Sequence, residues 1–219
     1  PGYSFVNYEK AVEKNLFRAI GNTLIVSIVA LAIIIVIAVL LSYLVVRRSN
    51  AFNNAIDVIS MMPYIMPGGV IGISLIITFS KRPFVLTGSL LIMIIALSIR
   101  RMPFTSRSAA MMKIPTSIEE AAISLGASKA KSFIKITVPM MSSGIISGAI
   151  LSWVSIITEM SSGVILYNNR TITLTIGTYS AITGGIYGVA AVFATITTIF
   201  TVICLVLYLK VTKSEDIQV

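Results

Sequence analysis

Residues 115–139 read P-T-S-I-E-E-A-A-I-S-L-G-A-S-K-A-K-S-F-I-K-I-T-V-P and form the one long polar interval in an otherwise apolar chain. Ser117 followed three residues later by Glu120 fits a capping box, in which the Ser117 hydroxyl accepts from the Glu120 N–H and the Glu120 carboxylate reaches back. A short helix should follow, with Ile118, Ala121, Ala122 and Leu125 at three- and four-residue spacing on one side. Gly126 supplies the left-handed position that ends it. Ser128 can cap a second short helix bearing Phe133, Ile134 and Ile136, and Pro139 should end that one by restricting Val138. Two short helices joined by a tight Gly-Ala turn are expected, in a loop between membrane spans.

Glu120-Ala121-Ala122, Gly126-Ala127, Phe133, Ile136 and Pro139 together resemble the EAA loop of binding-protein-dependent ABC importer permeases. Where that family often has Asp before the glycine, this chain has Leu125. The resemblance implies a MetI-like fold: an all-α membrane protein, a bundle of about five transmembrane helices with a cytoplasmic two-helix coupling loop. It also implies that Glu120, Ala121, Ala122, Gly126, Ala127, Phe133 and Pro139 dock a coupling helix onto a cytoplasmic ABC ATPase subunit. The small Ala121, Ala122 and Gly126 would let another surface approach closely, leaving Glu120 to steady the turn or meet a basic group.

Composition supports the membrane class. Apolar residues make up 56% of the chain and charged residues 11%, with a mean hydropathy of +0.96; a soluble domain carries about a quarter charged residues. The net charge of +9 raises the possibility of nucleic acid. The cations sit at span ends, however, which is a topology signal and not a phosphate-binding patch. With no His and a single Cys, Cys204, the chain has no usual ligand set for zinc, haem or iron–sulfur and no internal disulfide. Nor does it contain a G-x-x-x-x-G-K-[ST] loop, so ATP would be used by a partner subunit, with no cofactor in this chain.

Taken in order, residues 1–22 place Phe5, Tyr8, Val12, Leu16 and Ala19 on one helical side, as in an interfacial segment or a connector to upstream chain. Beginning at Pro1 and not at Met, the sequence reads as a fragment or the later part of a longer permease, and its opening lacks the pattern of a signal peptide. Residues 23–209 form the transmembrane permease domain. Apolar runs occupy 23–46, 64–80, 85–99, 138–166 and 188–209, with polar residues 50–60 as a short cytoplasmic return and 170–187 as an outer re-entrant or surface segment. Residues 210–219 form a tail. Arg47, Arg48, Arg100, Arg101, Arg107, Lys113, Lys129, Lys131, Lys135, Lys210 and Lys213 fall inside. Lys10, Lys14, Arg18, Lys81, Arg82 and Arg170 fall outside, so the N-terminus is outside and the C-terminus cytoplasmic.

Two places suggest a translocation pathway. Pro63, Pro67, Gly68 and Gly69 cannot make a straight helix, and broken backbone at membrane depth belongs beside protein or a water-filled cavity; a helix starting with Pro in its first turn is the plainer alternative. Glu159 is the one acid within a long apolar run, where an ionisable group by default faces a cavity or partner, unless it sits near enough to the outer end to reach water. Trp153 and Tyr167, on either side of it, read as interfacial aromatics. Met61, Met62, Met66, Met140 and Met141 read as flexible filling, with soft packing at a moving gate as the alternative, and Lys129, Lys131 and Lys135 as a solvated face, with contact to anionic lipid or a partner as the alternative. Gly144 and Gly148, four apart, allow close helix approach.

The function expected is the permease subunit of an ATP-driven importer in the bacterial inner membrane. It would work with ABC ATPase subunits, an extracytoplasmic substrate-binding protein and a second permease copy or half, within the lipid bilayer and without nucleic acid. The stretches 151–167 and 185–191 resemble the ferric-iron branch; polyamine, phosphonate and thiamine permeases share the architecture. A secondary transporter would need more intramembrane charge or an inverted repeat, and a membrane enzyme would need a catalytic set.

Overall fold

The computed structural model describes residues 4–47, 50–111 and 115–215. Arg48 and Lys113, both in the topology argument, lie outside them. Within the described residues all regular structure is helical: α1 Val6–Glu13, α2 Leu16–Arg47, α3 Ala51–Ile65, α4 Gly68–Thr78, α5 Leu90–Met111, α6 Thr116–Ser124, α7 Lys129–Ser132, a π-helical turn Phe133–Thr137, α8 Val138–Met140, α9 Ser142–Ile157, α10 Gly163–Leu166, α11 Leu174–Thr183 and α12 Tyr187–Glu215.

Helix α2 shows how a lipid-facing sequence organises itself. Its packed face is mostly small, with Ala19, Thr23, Ser27, Ala30, Ala38 and Ser42 buried beside Val26 and Ile34, while Ile25, Ile28, Val36 and Leu40 are exposed. Between helices in a bilayer there is little hydrophobic driving force, so small residues that permit close packing turn inward and bulky aliphatics turn to lipid. The hydroxyls of Thr23, Ser27 and Ser42 donate back to carbonyls four residues earlier, so none costs an unmet bond in the apolar interior.

Two helices are long and apolar enough to cross a membrane unaided, over Leu16–Val45 and Tyr187–Val206. Two further spans arise if the bent pairs Ala51–Ile65 with Gly68–Thr78 and Lys129–Met140 with Ser142–Ile157 each count as one. Helix α5, the remaining run, starts at Leu90 and carries Arg100, Arg101 and Arg107 in its second half, which lowers its hydropathy. The run 138–166 is not one helix: α9 ends at Ile157, and residues 158–162 are irregular before α10. In the segment 170–187, helix α11 buries Leu174, Ile176, Gly177 and Ala181. At the N-terminus, Leu16 and Ala19 are buried as expected of the packed side, but Phe5, Tyr8 and Val12 are exposed and Ala11 takes the inward position on α1.

The chain divides into two compact units. The first takes the described residues of Pro1–Ala30, Met66–Ser98 and Trp153–Val219. Its core joins Ile92, Met93, Leu174, Ile176, Val189 and Phe193. Gly177 lies against the Phe193 ring so closely that a Cβ there would fall 2.5 Å from it. The second unit takes those of Leu31–Ile65 and Ile99–Ser152, and Ala109, Met141 and Ile145 form an apolar cluster within it. Here Gly148 of α9 meets the backbone of α5: a Cβ on it would sit 2.5 Å from Thr105 Cα. Beside that contact the Thr105 and Ser152 hydroxyls are 2.9 Å apart and Ser152 Oγ donates to the Arg101 carbonyl at 3.0 Å. The close approach expected of Gly148 is present.

Candidate functional site

The polar loop is built around Gly126. Helix α6 closes with Gly126 at φ +90°, its N–H donating to the Ile123 carbonyl at 2.9 Å and the Ala127 N–H donating to the Ala122 carbonyl at 3.0 Å. This pair of bonds is a Schellman closure, and it needs a residue without Cβ strain at the left-handed position. Ser128 then caps α7, its Oγ accepting from the Lys131 N–H at 3.3 Å. Both features follow the sequence reading.

The start of the loop does not. Pro115, at φ −58° and ψ 135°, is the N-cap of α6, and no side chain caps the helix. Because the helix begins at Thr116, Ser117 already lies in its first turn, so the capping box does not form. The face expected inward is also different: Ile118 and Ala122 are half-buried, Ala121 is exposed, and Leu125 is 89% exposed. Glu120, Ala121, Ile123 and Leu125 therefore present an open surface.

Pro139 does not end its helix. Val138 keeps right-handed helical angles and its N–H donates to Phe133 five residues back. Proline has no N–H, and its ring would press on the carbonyl four residues earlier. The wider π turn over Phe133–Thr137 takes up that conflict, as local widening does elsewhere in helices. The chain bends at Met141 instead, by 65° between Lys129–Met140 and Ser142–Ile157.

One residue that sequence reasoning missed ties the loop together. Tyr43 of α2 donates its hydroxyl to Glu119 Oε1 at 3.1 Å, and its ring lies 4.5 Å, centroid to centroid, from that of Phe133. A tyrosine inside an apolar run gives no sequence signal of a partner 76 or 90 positions away. Further along, α3 and α5 are joined by an Arg107–Asp57 ion pair of 2.9 Å and an edge contact between Tyr64 and Phe104.

The two suggested pathway elements are separate features of the chain. Pro63 lies inside α3, whereas Pro67 is the N-cap of α4, which starts at Gly68; the helix is broken between them. Gly68 is buried, and a Cβ on Gly69 would meet nothing within 4 Å. Glu159 occupies the irregular stretch after α9 and is 7% exposed. Its Oε1 accepts from Ser161 Oγ at 2.6 Å, the Ser162 N–H at 3.1 Å and Ser162 Oγ at 3.3 Å. Three donors on one carboxylate oxygen hold the break closed just ahead of α10. A small cavity of about 20 Å³ beside it is lined by Thr23, Thr173 and Ser162 together with Met93 and Leu97, room for about one water. Trp153 is half-buried: its ring lies near that of Phe200, and its Nε1–H is buried without an acceptor. Tyr167 is half-buried against the core of the first unit. Among the described residues no group of three or more His, Cys, Asp or Glu is placed to hold a metal.

An all-helical chain with lipid-facing aliphatics, a broken proline–glycine span and a closed polar loop has the make-up of a membrane transport permease. The profile of the family described as "Binding-protein-dependent transport system inner membrane component" matches residues 30–213, and the chain belongs to that family. It is a multi-pass inner-membrane protein of the ABC importer permease type. The chain is 29% identical over 147 residues to the molybdate/tungstate transport permease WtpB of Thermococcus kodakarensis, a match covering 67% of this chain and 59% of that one. It is 28% identical over 177 residues to the ferric transport permease FbpB of Actinobacillus pleuropneumoniae, covering 80% of this chain and 26% of that one. The chain thus spans less than two thirds of either relative. A bacterial ABC transporter importing the polysaccharide alginate has the same fold, with a TM-score of 0.76 at 16% identity over 98% of this chain and 85% of that one.

Proposed function

We propose that this chain is the membrane-spanning permease subunit of an ATP-driven importer, passing a small inorganic ion from an external binding protein to the cytoplasm. The observation that carries the reading is the Schellman-closed loop at Gly126, which leaves Glu120, Ala121, Ile123 and Leu125 exposed. Glu120, Ala121, Ala122, Gly126, Ala127, Phe133 and Pro139 serve as the docking element for a cytoplasmic ABC ATPase, which uses the ATP. A second permease copy or half completes the pathway, and Glu159, Pro63, Pro67, Gly68 and Gly69 contribute to it. The N-terminus is outside and the C-terminus cytoplasmic, as the distribution of cations suggests. An oxyanion of the molybdate or tungstate kind is the first choice of substrate, supported by the likeness to WtpB. Ferric iron is the second reading, favoured by the FbpB likeness over 80% of this chain.

The test is purification in mild detergent from the native membrane, with identification of the co-purifying ATPase and of the ion held by the binding protein. Gly126→Asp is expected to leave the spans inserted and abolish ATP-driven uptake, because the substituent opposes φ +90° and stands on the docking face. Normal uptake in that variant, or an intact sample without an ATPase, refutes the reading. An iron-loaded binding protein selects the second substrate over the first.

A further inference from the structure

The first unit contains a cavity of about 330 Å³ that the transport reading does not use. Its floor is apolar, made by Ile172, Val189 and Phe193, all buried. Its rim is polar, made by Lys14 and Asn15 at the junction of α1 and α2, Asn169 before α11, and Ser180 on α11. None of these four side chains makes a hydrogen bond or ion pair with any described residue. Four unused polar groups, one of them cationic, thus share one hollow with apolar side chains. The volume falls within the range of small-molecule sites, roughly 300–1,000 Å³.

The surroundings identify the occupant. Phe17 and Tyr187 are each 70% exposed, and Ile182 and Ile186 are also exposed; Ile186 itself lines the cavity. In an integral membrane protein such aliphatics meet acyl chains, and an exposed tyrosine such as Tyr187 marks the headgroup level. A free inorganic anion could meet Lys14 but would leave the exposed Ile186 side chain uncovered. An amphiphile satisfies both. We propose that this cavity is a binding site for an anionic phospholipid. Its phosphate meets Lys14 Nζ and the Asn15, Asn169 and Ser180 side chains, its glycerol backbone covers Ile172, Val189 and Phe193, and its acyl chains pass over Ile182 and Ile186. The site is independent of which ion is transported.

The experiment is native mass spectrometry of the detergent-purified chain after exchange into micelles doped with phosphatidylglycerol or phosphatidylcholine. Wild type is expected to retain one phosphatidylglycerol in preference to phosphatidylcholine. Lys14→Ala should weaken retention about fivefold, the effect of removing one cation near an anionic headgroup. Ser180→Phe should abolish it by filling the cavity without changing charge, and it carries the test alone if Lys14→Ala loses its helical signal. Lys129→Ala should retain the lipid as wild type does. Equal retention of both lipids, unchanged retention in the Ser180→Phe variant, or displacement of the lipid by inorganic phosphate at similar concentration would overturn the assignment.

Discussion

Replacing Gly148 with alanine sets two physical effects against each other, and the geometry says which wins. Alanine in place of glycine inside a helix is worth about 0.5–1 kcal/mol through backbone entropy and propensity. At Gly148 the added Cβ would fall 2.5 Å from Thr105 Cα, 2.9 Å from Ser108 Cβ and 3.0 Å from the Phe104 carbonyl oxygen. Two of those atoms are backbone and cannot rotate away, so α9 must move off α5. Overpacking of this kind costs about 1–3 kcal/mol. The movement also stretches the 2.9 Å Thr105–Ser152 contact and the 3.0 Å Ser152–Arg101 bond, for about 1 kcal/mol more. The net is a destabilisation of about 1–3 kcal/mol. Gly21, in the interior of α2, has nothing within 4 Å of its virtual Cβ, so Gly21→Ala should stabilise by about 0.5–1 kcal/mol. Equilibrium unfolding of the two variants by denaturant in one detergent compares the same chemical change in two surroundings. A Gly148→Ala chain as stable as wild type, with Gly21→Ala behaving as stated, would refute the close packing of α9 on α5.

Two further substitutions test the loop and the acidic break. Tyr43→Phe keeps the ring contact with Phe133 and removes the hydroxyl bond to Glu119; stability should fall by about 1 kcal/mol or less, while ATP-driven uptake should fall severalfold, read as transport per inserted chain against Tyr43→Ala, which should be worse. Glu159→Gln keeps an acceptor oxygen but exchanges three charge-assisted bonds for neutral ones of about half the strength, so uptake should drop with insertion and ATPase association intact, and unchanged uptake would dismiss a pathway role for this acid.

The parts of the fold legible in the sequence were those written in local backbone chemistry. Gly126 could be read as a helix stop because only a residue free of Cβ strain suits φ +90° there, and Ser128 as a cap because its oxygen needs only a neighbour three residues on. Gly148 was legible as a site of close approach, though not which helix it meets. The misreadings have a common cause, since local rules compete and sequence does not say which prevails. Pro115 takes the N-cap position that Ser117 was expected to organise, which leaves Glu120 without a box to close. Pro139 was read as a stop, but a π turn lets the helix pass through it. The break at residues 158–162 was hidden within an apolar run, although Thr158, Glu159, Ser161 and Ser162 in close succession were a signal against a continuous span. Tyr43 could not have been found, because its partners are distant in sequence and its own neighbourhood is uniformly apolar.

The arrangement in the second unit makes the polar loop continuous with the helices that follow it. A loop free to swing on its C-terminal side would need that flank to lose backbone bonding, yet the helical ladder continues from Ser132, bonded to the Ser128 carbonyl, to Met141, bonded to the Thr137 and Val138 carbonyls, and on to Ile145, bonded to Met141. The proline that could have broken this ladder is accommodated by the π turn. Tyr43 then fixes both arms to one point on α2, α6 through Glu119 and the π turn through Phe133. With both arms tied to one side chain, a partner pressing on the Leu125 face cannot tilt α6 without straining the Tyr43 contacts. A push on the loop is therefore passed to α2 through Tyr43. That is why removing one hydroxyl from Tyr43 should cost transport far more than it costs stability.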